Sequence, residues 1–179
     1  MNIQIIVGSI REGRVAIKVA EWVQNYTQKL NIPNLSVEIL DLKAWDLPLF
    51  SGANPPATGI YDQPKQQQWA DKIAKGDAFM IISPEYNHGY SPALKNALDF
   101  LHKEWKNKNV AYISYGSTFG SRAIDQIRLV GLAIGLNDVN AILQIRDIFN
   151  RNKDTQFIAN THEEKALETI LTRLSQTAF

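Results

Sequence analysis

The sequence predicts a doubly wound α/β fold, a five-stranded parallel sheet covered by helices on both faces in a three-layer α/β/α sandwich. Two observations carry this expectation. Short apolar runs of strand type recur along the chain, and the segments between them repeat their apolar residues with a helical period. Because parallel strands need crossover connections, such alternation places helices on both sides of one sheet.

The strand-type runs are "IQIIVG" from Ile3 to Gly8, "SVEILDL" from Ser36 to Leu42, "DAFMIIS" from Asp77 to Ser83, "NVAYISY" from Asn109 to Tyr115 and "DVNAILQI" from Asp138 to Ile145. Five strands suggest the flavodoxin-like order 2-1-3-4-5 more than a six-stranded dinucleotide fold. After the first run, Val15, Val19, Trp22, Tyr26 and Leu30 share one helical face, and Leu94, Leu98 and Leu101 share another. Ser91 and Pro92 mark the start of that second helix as cap and first residue. For the last helix, Thr161 and Glu164 fit a capping box ahead of Leu167, Ile170, Leu171 and Leu174.

Two stretches have no regular pattern. Leu47 to Pro64, "LPLFSGANPPATGIYDQP", reads as a lid, an interface arm or a wandering crossover, and it is longer than most connections. The polar stretch "RDIFNRNKDTQFIANT" from Arg146 reads as a surface excursion. No linker or repeat divides the chain, so residues 1–179 are expected to form one domain.

Composition narrows the chemistry. The chain is 45% hydrophobic and 21% charged with a formal net charge of +1, which implies no polyanionic partner and hence no nucleic acid. With no cysteine there is no disulfide, thiolate zinc site or nucleophilic thiol, so redox chemistry requires a bound organic cofactor. His88, His102 and His162 lack metal-ligand spacing, and no metal site is expected. No run approaches the ~18 apolar residues of a membrane span, and a soluble cytoplasmic protein is expected. Trp22, Trp45, Trp69 and Trp105 are scattered and read as packing residues.

Ligands of a doubly wound sheet bind beyond the carboxyl ends of the strands, where the chain order reverses. That places three loops at the site: "GSIREGR" after the first strand, "SPEYNHGY" after the third and "YGSTFGSR" after the fourth. In the first, Gly8 and Gly13 have the spacing of a triphosphate-binding loop, but Arg14 and Val15 stand where that motif needs Lys and Ser or Thr. Backbone amides at a helix start, the Ser9 hydroxyl, Arg11 and Arg14 suit a metal-free phosphate monoester better than ATP. The alternative is a plain turn at Gly8 with solvated arginines. In the second loop, backbone amides with Tyr86 and Asn87 could lie along a flat heterocycle, although a capped loop without a ligand would look similar. Glu85 and Asp99 are a candidate carboxylate pair, with Glu85 expected to face solvent or a partner subunit.

Taken together, these loops resemble the NAD(P)H-dependent FMN reductases of the flavodoxin-like superfamily, which include flavin, quinone, azo-dye and chromate reductases. "GSIREGRVAIKVAEWV", "DLPLF" and above all "SPEYNHGYSPALKNALDFLHKEW" carry the resemblance. It implies that Ser9, Arg11, Arg14, Val15 and Ala16 surround the FMN phosphate. Pro84, Glu85, Tyr86, Asn87 and His88 would border the isoalloxazine ring, with Tyr115, Gly116 and Ser117 approaching from the third loop. It also implies a homodimer or dimer of dimers and hydride transfer from NADPH or NADH, through FMN, to a small acceptor, with no catalytic side chain needed. One departure stands out, since the family's third loop usually has consecutive glycines after the tyrosine. Here Ser117 and Phe119 would tighten flavin binding or narrow substrate access. The rival expectations are a flavodoxin-type electron carrier, which its near-zero net charge disfavours, and a P-loop phosphotransferase with Asp41 as its magnesium ligand.

Overall fold

A computed structural model describes residues 1–153 and 156–176. Five parallel strands, β1 (Asn2–Val7), β2 (Ser36–Asp41), β3 (Ala78–Pro84), β4 (Asn109–Tyr115) and β5 (Asn137–Ile145), lie in the order β2-β1-β3-β4-β5. This is the order expected from the sequence. The central strands β3 and β4 read as nearly unbroken apolar runs because both faces of the sheet are covered there, whereas the edge strands β2 and β5 carry polar residues on the less covered face. Ile3, Ile5 and Val7 face one core with Met80, Ile82, Ala111 and Ile113. Ile6 faces the other with Phe79, Ile81, Val110 and Tyr112.

The first core is closed by α1 (Ala16–Leu30) and α7 (Thr161–Leu174), whose Val19, Val23, Leu167, Ile170, Leu171 and Leu174 are all buried. The second is closed by α3 (Pro64–Ala74), α4 (Pro92–Asp99) and α5 (Ser121–Ala133), through Trp69, Ile73, Leu94, Leu98, Ile124 and Ile127. Trp69 and Trp105 are fully buried, as packing residues should be. Leu30, at the end of the predicted α1 stripe, is exposed, because the chain turns away through left-handed Asn31. Among the described residues no helix is long and apolar enough to cross a membrane.

The stretch from Leu47 is fastened to α4. Asn96 donates from Nδ2 to the Pro48 carbonyl at 2.8 Å and accepts from the Phe50 amide at 2.9 Å, while Phe50 meets Phe100 edge-on. Farther along, the Tyr61 hydroxyl donates to Glu104. The stretch ends as the sequence reading places it, because Pro64 opens α3, where its missing amide costs nothing. A short helix, α2 (Leu42–Trp45), precedes the stretch and is capped by Asp41, which accepts from the Lys43 amide.

Two expectations need correction. The capping box of α7 is Asn160 with Glu163, one residue before the expected Thr161 and Glu164. Asn160 has the extended backbone of a cap, and asparagine caps at least as well as threonine. The segment after β5 is not simply a surface excursion. It forms α6 (Ile148–Arg151) and a small antiparallel pair, β6 (Asn152–Lys153) with β7 (Gln156–Phe157), and it buries Ile148 and Phe157 in the α1/α7 core. Arg151 is anchored on Glu163. Asp154 and Thr155, within the same expected excursion, lie outside the described residues.

Candidate functional site

After β1 the chain moves outward to β2, and after β3 it moves the opposite way to β4, so their carboxyl ends flank the point where the winding reverses. The three expected loops meet there. Gly8 makes the close approach possible: its amide donates to the Ile82 carbonyl at 2.8 Å, and a Cβ would lie 3.1 Å from that oxygen and 3.2 Å from Leu94 Cβ. The Gly8 carbonyl accepts from Ser91 Oγ, which at the same time caps α4 by accepting from the Leu94 amide. One serine therefore fixes both the first loop and the helix behind the second.

The first loop presents mixed side chains. Ile10, Arg11, Glu12 and Gly13 are exposed, while Ser9 is 1% exposed. Arg14 forms an ion pair with Asp41, and its Nε is buried without a partner among the described residues. Glu12 pairs with Lys43. Helix α1 starts with Val15 at its cap position, which makes no side-chain hydrogen bond there, and the Ala16 backbone meets the Tyr115 phenol. Asp41, the residue that would have to hold magnesium in a phosphotransferase, is already shared between Arg14 and the α2 amide.

The second loop is a tight turn. Tyr86 and Gly89 exchange backbone hydrogen bonds of 2.7 and 2.9 Å, and Asn87 and His88 between them both have positive φ, as a primed two-residue turn requires. Gln126 of α5 holds the tip by donating to the His88 carbonyl. The Tyr86 ring leans toward the first loop, with its hydroxyl 2.7 Å from Ser9 Oγ and the Arg11 guanidinium 5.8 Å from its centre.

Glu85 corrects the sequence reading, because its side chain is 4% exposed and turns inward. Its carboxylate accepts from the Thr118 hydroxyl at 2.7 Å and from both the Arg122 amide and guanidinium at 3.1 Å. Burial pushes its pKa up, but the Thr118 and Arg122 hydrogen bonds outweigh that and hold it below the usual carboxylate value. The Glu85 amide also donates to the Tyr115 carbonyl. Asp99, its suggested carboxylate partner, pairs instead with Lys95 one turn back on α4.

In the third loop, Ser117 is exposed and Gly116 lies against Glu85 Cβ. Phe119 is partly exposed under the Arg146 guanidinium, 5.2 Å from its ring centre. Tyr115 points the other way, into the α1-side core beside Ala16. Burial, reinforced by nearby Tyr86, pushes its phenol well above the ordinary value, so it stays protonated. Arg122 and Gln126 support the site without having been expected there, whereas Thr118 lies in the expected third loop and Asp41 was expected only as a magnesium ligand. Of these, only Arg122, two residues after a loop glycine, had a local signal, since a basic residue in a first helical turn calls for an acidic partner.

A family model described as NADPH-dependent FMN reductase matches residues 1–149. The chain belongs to the NADPH-dependent FMN reductase family. An NAD(P)H-dependent FMN reductase of Schizosaccharomyces pombe is 36% identical over 131 residues, covering 72% of this chain and 64% of that protein. The chain thus matches just under two thirds of that relative's length. Another NAD(P)H-dependent FMN reductase, from Saccharomyces cerevisiae, is 30% identical over 151 residues, 79% of each chain. Among solved structures, the flavoenzyme NAD(P)H:acceptor oxidoreductase FerB of Paracoccus denitrificans has a TM-score of 0.75 over 97% of this chain and 94% of its own; at 20% identity this supports the flavodoxin-like fold.

Proposed function

We propose that this FMN reductase family member binds FMN and uses it to oxidise NADPH or NADH, reducing a small acceptor such as free flavin, a quinone, an azo dye or a metal oxyanion. The observation that carries the reading is the donor set of the first loop. A hydroxyl, an exposed guanidinium and a helix start whose cap residue, Val15, makes no side-chain hydrogen bond suit a phosphate monoester, and the carboxylate that magnesium would need is engaged by Arg14. Ser9, Arg11, Arg14, Val15 and Ala16 are accordingly the phosphate-side residues. Pro84, Glu85, Tyr86, Asn87 and His88 border the ring, with Tyr115, Gly116 and Ser117 opposite.

When bound, FMN would supply the redox chemistry between the nicotinamide and the acceptor, in a ping-pong sequence. The chain's part is placement. Glu85 and Tyr115 act by joining the second and third loops, the Glu85 amide donating to the Tyr115 carbonyl while both side chains are engaged elsewhere. The Asn87–His88 turn presents a rigid edge, and Phe119 with Ser117 narrows the entrance where the family usually has glycine. No side chain is assigned proton transfer.

The assembly we propose is a homodimer or dimer of dimers, which would cover Leu129 and Leu132 of α5, 70% and 75% exposed in the single chain. The absence of cysteine suits a reducing cytoplasm. Reconstitution tests the reading: the unliganded protein should take up one FMN per chain and turn yellow. Protein that takes up no FMN, and binds ATP only with magnesium, would overturn it.

A further inference from the structure

We propose that Tyr86 serves the phosphate end of the cofactor site, its hydroxyl acting with that of Ser9 as a paired donor that distinguishes a flavin phosphomonoester from riboflavin. This rests on the FMN reading above and revises one assignment within it, moving Tyr86 from the ring, where the resemblance places it, to the phosphate.

The two hydroxyl oxygens are 2.7 Å apart across loops separated by 77 residues. Each hydroxyl has one proton. One O–H is consumed between them, and the other is left to donate to a third oxygen. Ser9 is 1% exposed while Tyr86 remains partly open, so an arriving anion meets the tyrosine end of the pair first. Arg11, 5.8 Å from the Tyr86 ring centre, adds positive charge at the same corner, where an anionic acceptor forms a stronger hydrogen bond than a neutral one.

The placement of Tyr86 is built in. Its amide and carbonyl are both committed to Gly89, and Gln126 pins the turn through the His88 carbonyl. The Gly8 carbonyl and Ser91 hold the serine's loop against α4 from the other side. The hydroxyl pair therefore bridges two independently anchored loops, as expected of a preorganised donor.

Binding of FMN and of riboflavin to unliganded wild type and Tyr86→Phe, followed by flavin fluorescence, tests the assignment, with thermal melting as the check on folding. Tyr86→Phe keeps the ring and its contact with Arg11. The Kd for FMN should rise about tenfold or more, while that for riboflavin changes by less than about twofold. Ser9→Ala should weaken FMN binding similarly, and Ser9→Ala with Tyr86→Phe by less than the product of the two single effects, because the pair acts as a unit. Equal losses for FMN and riboflavin would put Tyr86 at the ring and overturn the proposal, as would unchanged FMN binding by Tyr86→Phe. Wild-type protein that binds no FMN would overturn the reductase reading itself.

Discussion

The carboxylate of Glu85 receives both the backbone amide and the guanidinium of Arg122, each at 3.1 Å, so a residue from the loop after β3 caps the helix after β4. The anionic charge also sits at the positive end of α5, where no side chain of the cap residue Gly120 is available to do so. Replacing this carboxylate with a methyl should leave the Arg122 and Thr118 donors short of an acceptor. We expect Glu85→Ala to cost about 2 kcal/mol in urea unfolding, with Glu85→Gln losing less.

The same contact predicts the acid limb of stability. Because the folded state holds the Glu85 pKa below its ordinary value, the unfolded chain binds this proton first. The stabilisation is fully present above the ordinary carboxylate pKa, about 4.3, and is lost as pH falls through the lower folded value. Urea midpoints measured across that range should fall less steeply with acid for Glu85→Gln than for wild type. Parallel acid limbs would show that Glu85 contributes no such linkage.

How much of this was legible in the sequence follows from what each feature depends on. The central strands were legible because burial on both faces leaves a nearly unbroken apolar run, and β4 begins and ends where its run does. The start of α4 was legible because Ser91 and Pro92 act within one turn. The Glu85–Arg122 pair was not, because its partners are 37 residues apart and meet only through the β3–β4 register, which sets Pro84 beside Tyr115. Ile148 and Phe157 were hidden for a similar reason: in a polar stretch the pairs Ile148–Phe149 and Phe157–Ile158 have no period, and only the packing of α1 and α7 shows which member of each is covered.

Gly120 should tolerate no side chain. It has φ of 78°, and a Cβ would lie 1.9 Å from Ser114 Oγ, itself bonded to the Ser83 carbonyl between β4 and β3. Gly120→Ala should destabilise the protein by at least about 2 kcal/mol and displace the third loop. Thermal melting combined with FMN titration would check both effects.

Tyr112 predicts the opposite sign. Its hydroxyl is buried in the second core without a hydrogen-bond partner among the described residues. Removing an unsatisfied polar group while keeping the ring should be neutral or stabilising by up to about 1 kcal/mol. A clear loss of stability in Tyr112→Phe would show that the hydroxyl has a partner, such as an internal water.

Arg11 is exposed, whereas Arg14 is engaged by Asp41, so the two should differ. Arg11→Ala should weaken FMN binding about tenfold at low salt and make the remaining affinity less sensitive to ionic strength. Arg14→Ala should in addition lower thermal stability, since it strips Asp41 of its ion pair. Unchanged FMN affinity in Arg11→Ala would leave the phosphate to the backbone amides and the Ser9–Tyr86 pair.

The most direct test of the reductase account is anaerobic mixing of the FMN-loaded protein with NADPH, and separately with NADH, followed by a quinone. The account predicts that the yellow flavin absorption bleaches with at least one nicotinamide and returns when the quinone is added. Flavin that stays oxidised for minutes with both nicotinamides would contradict it and leave a flavodoxin-type electron carrier.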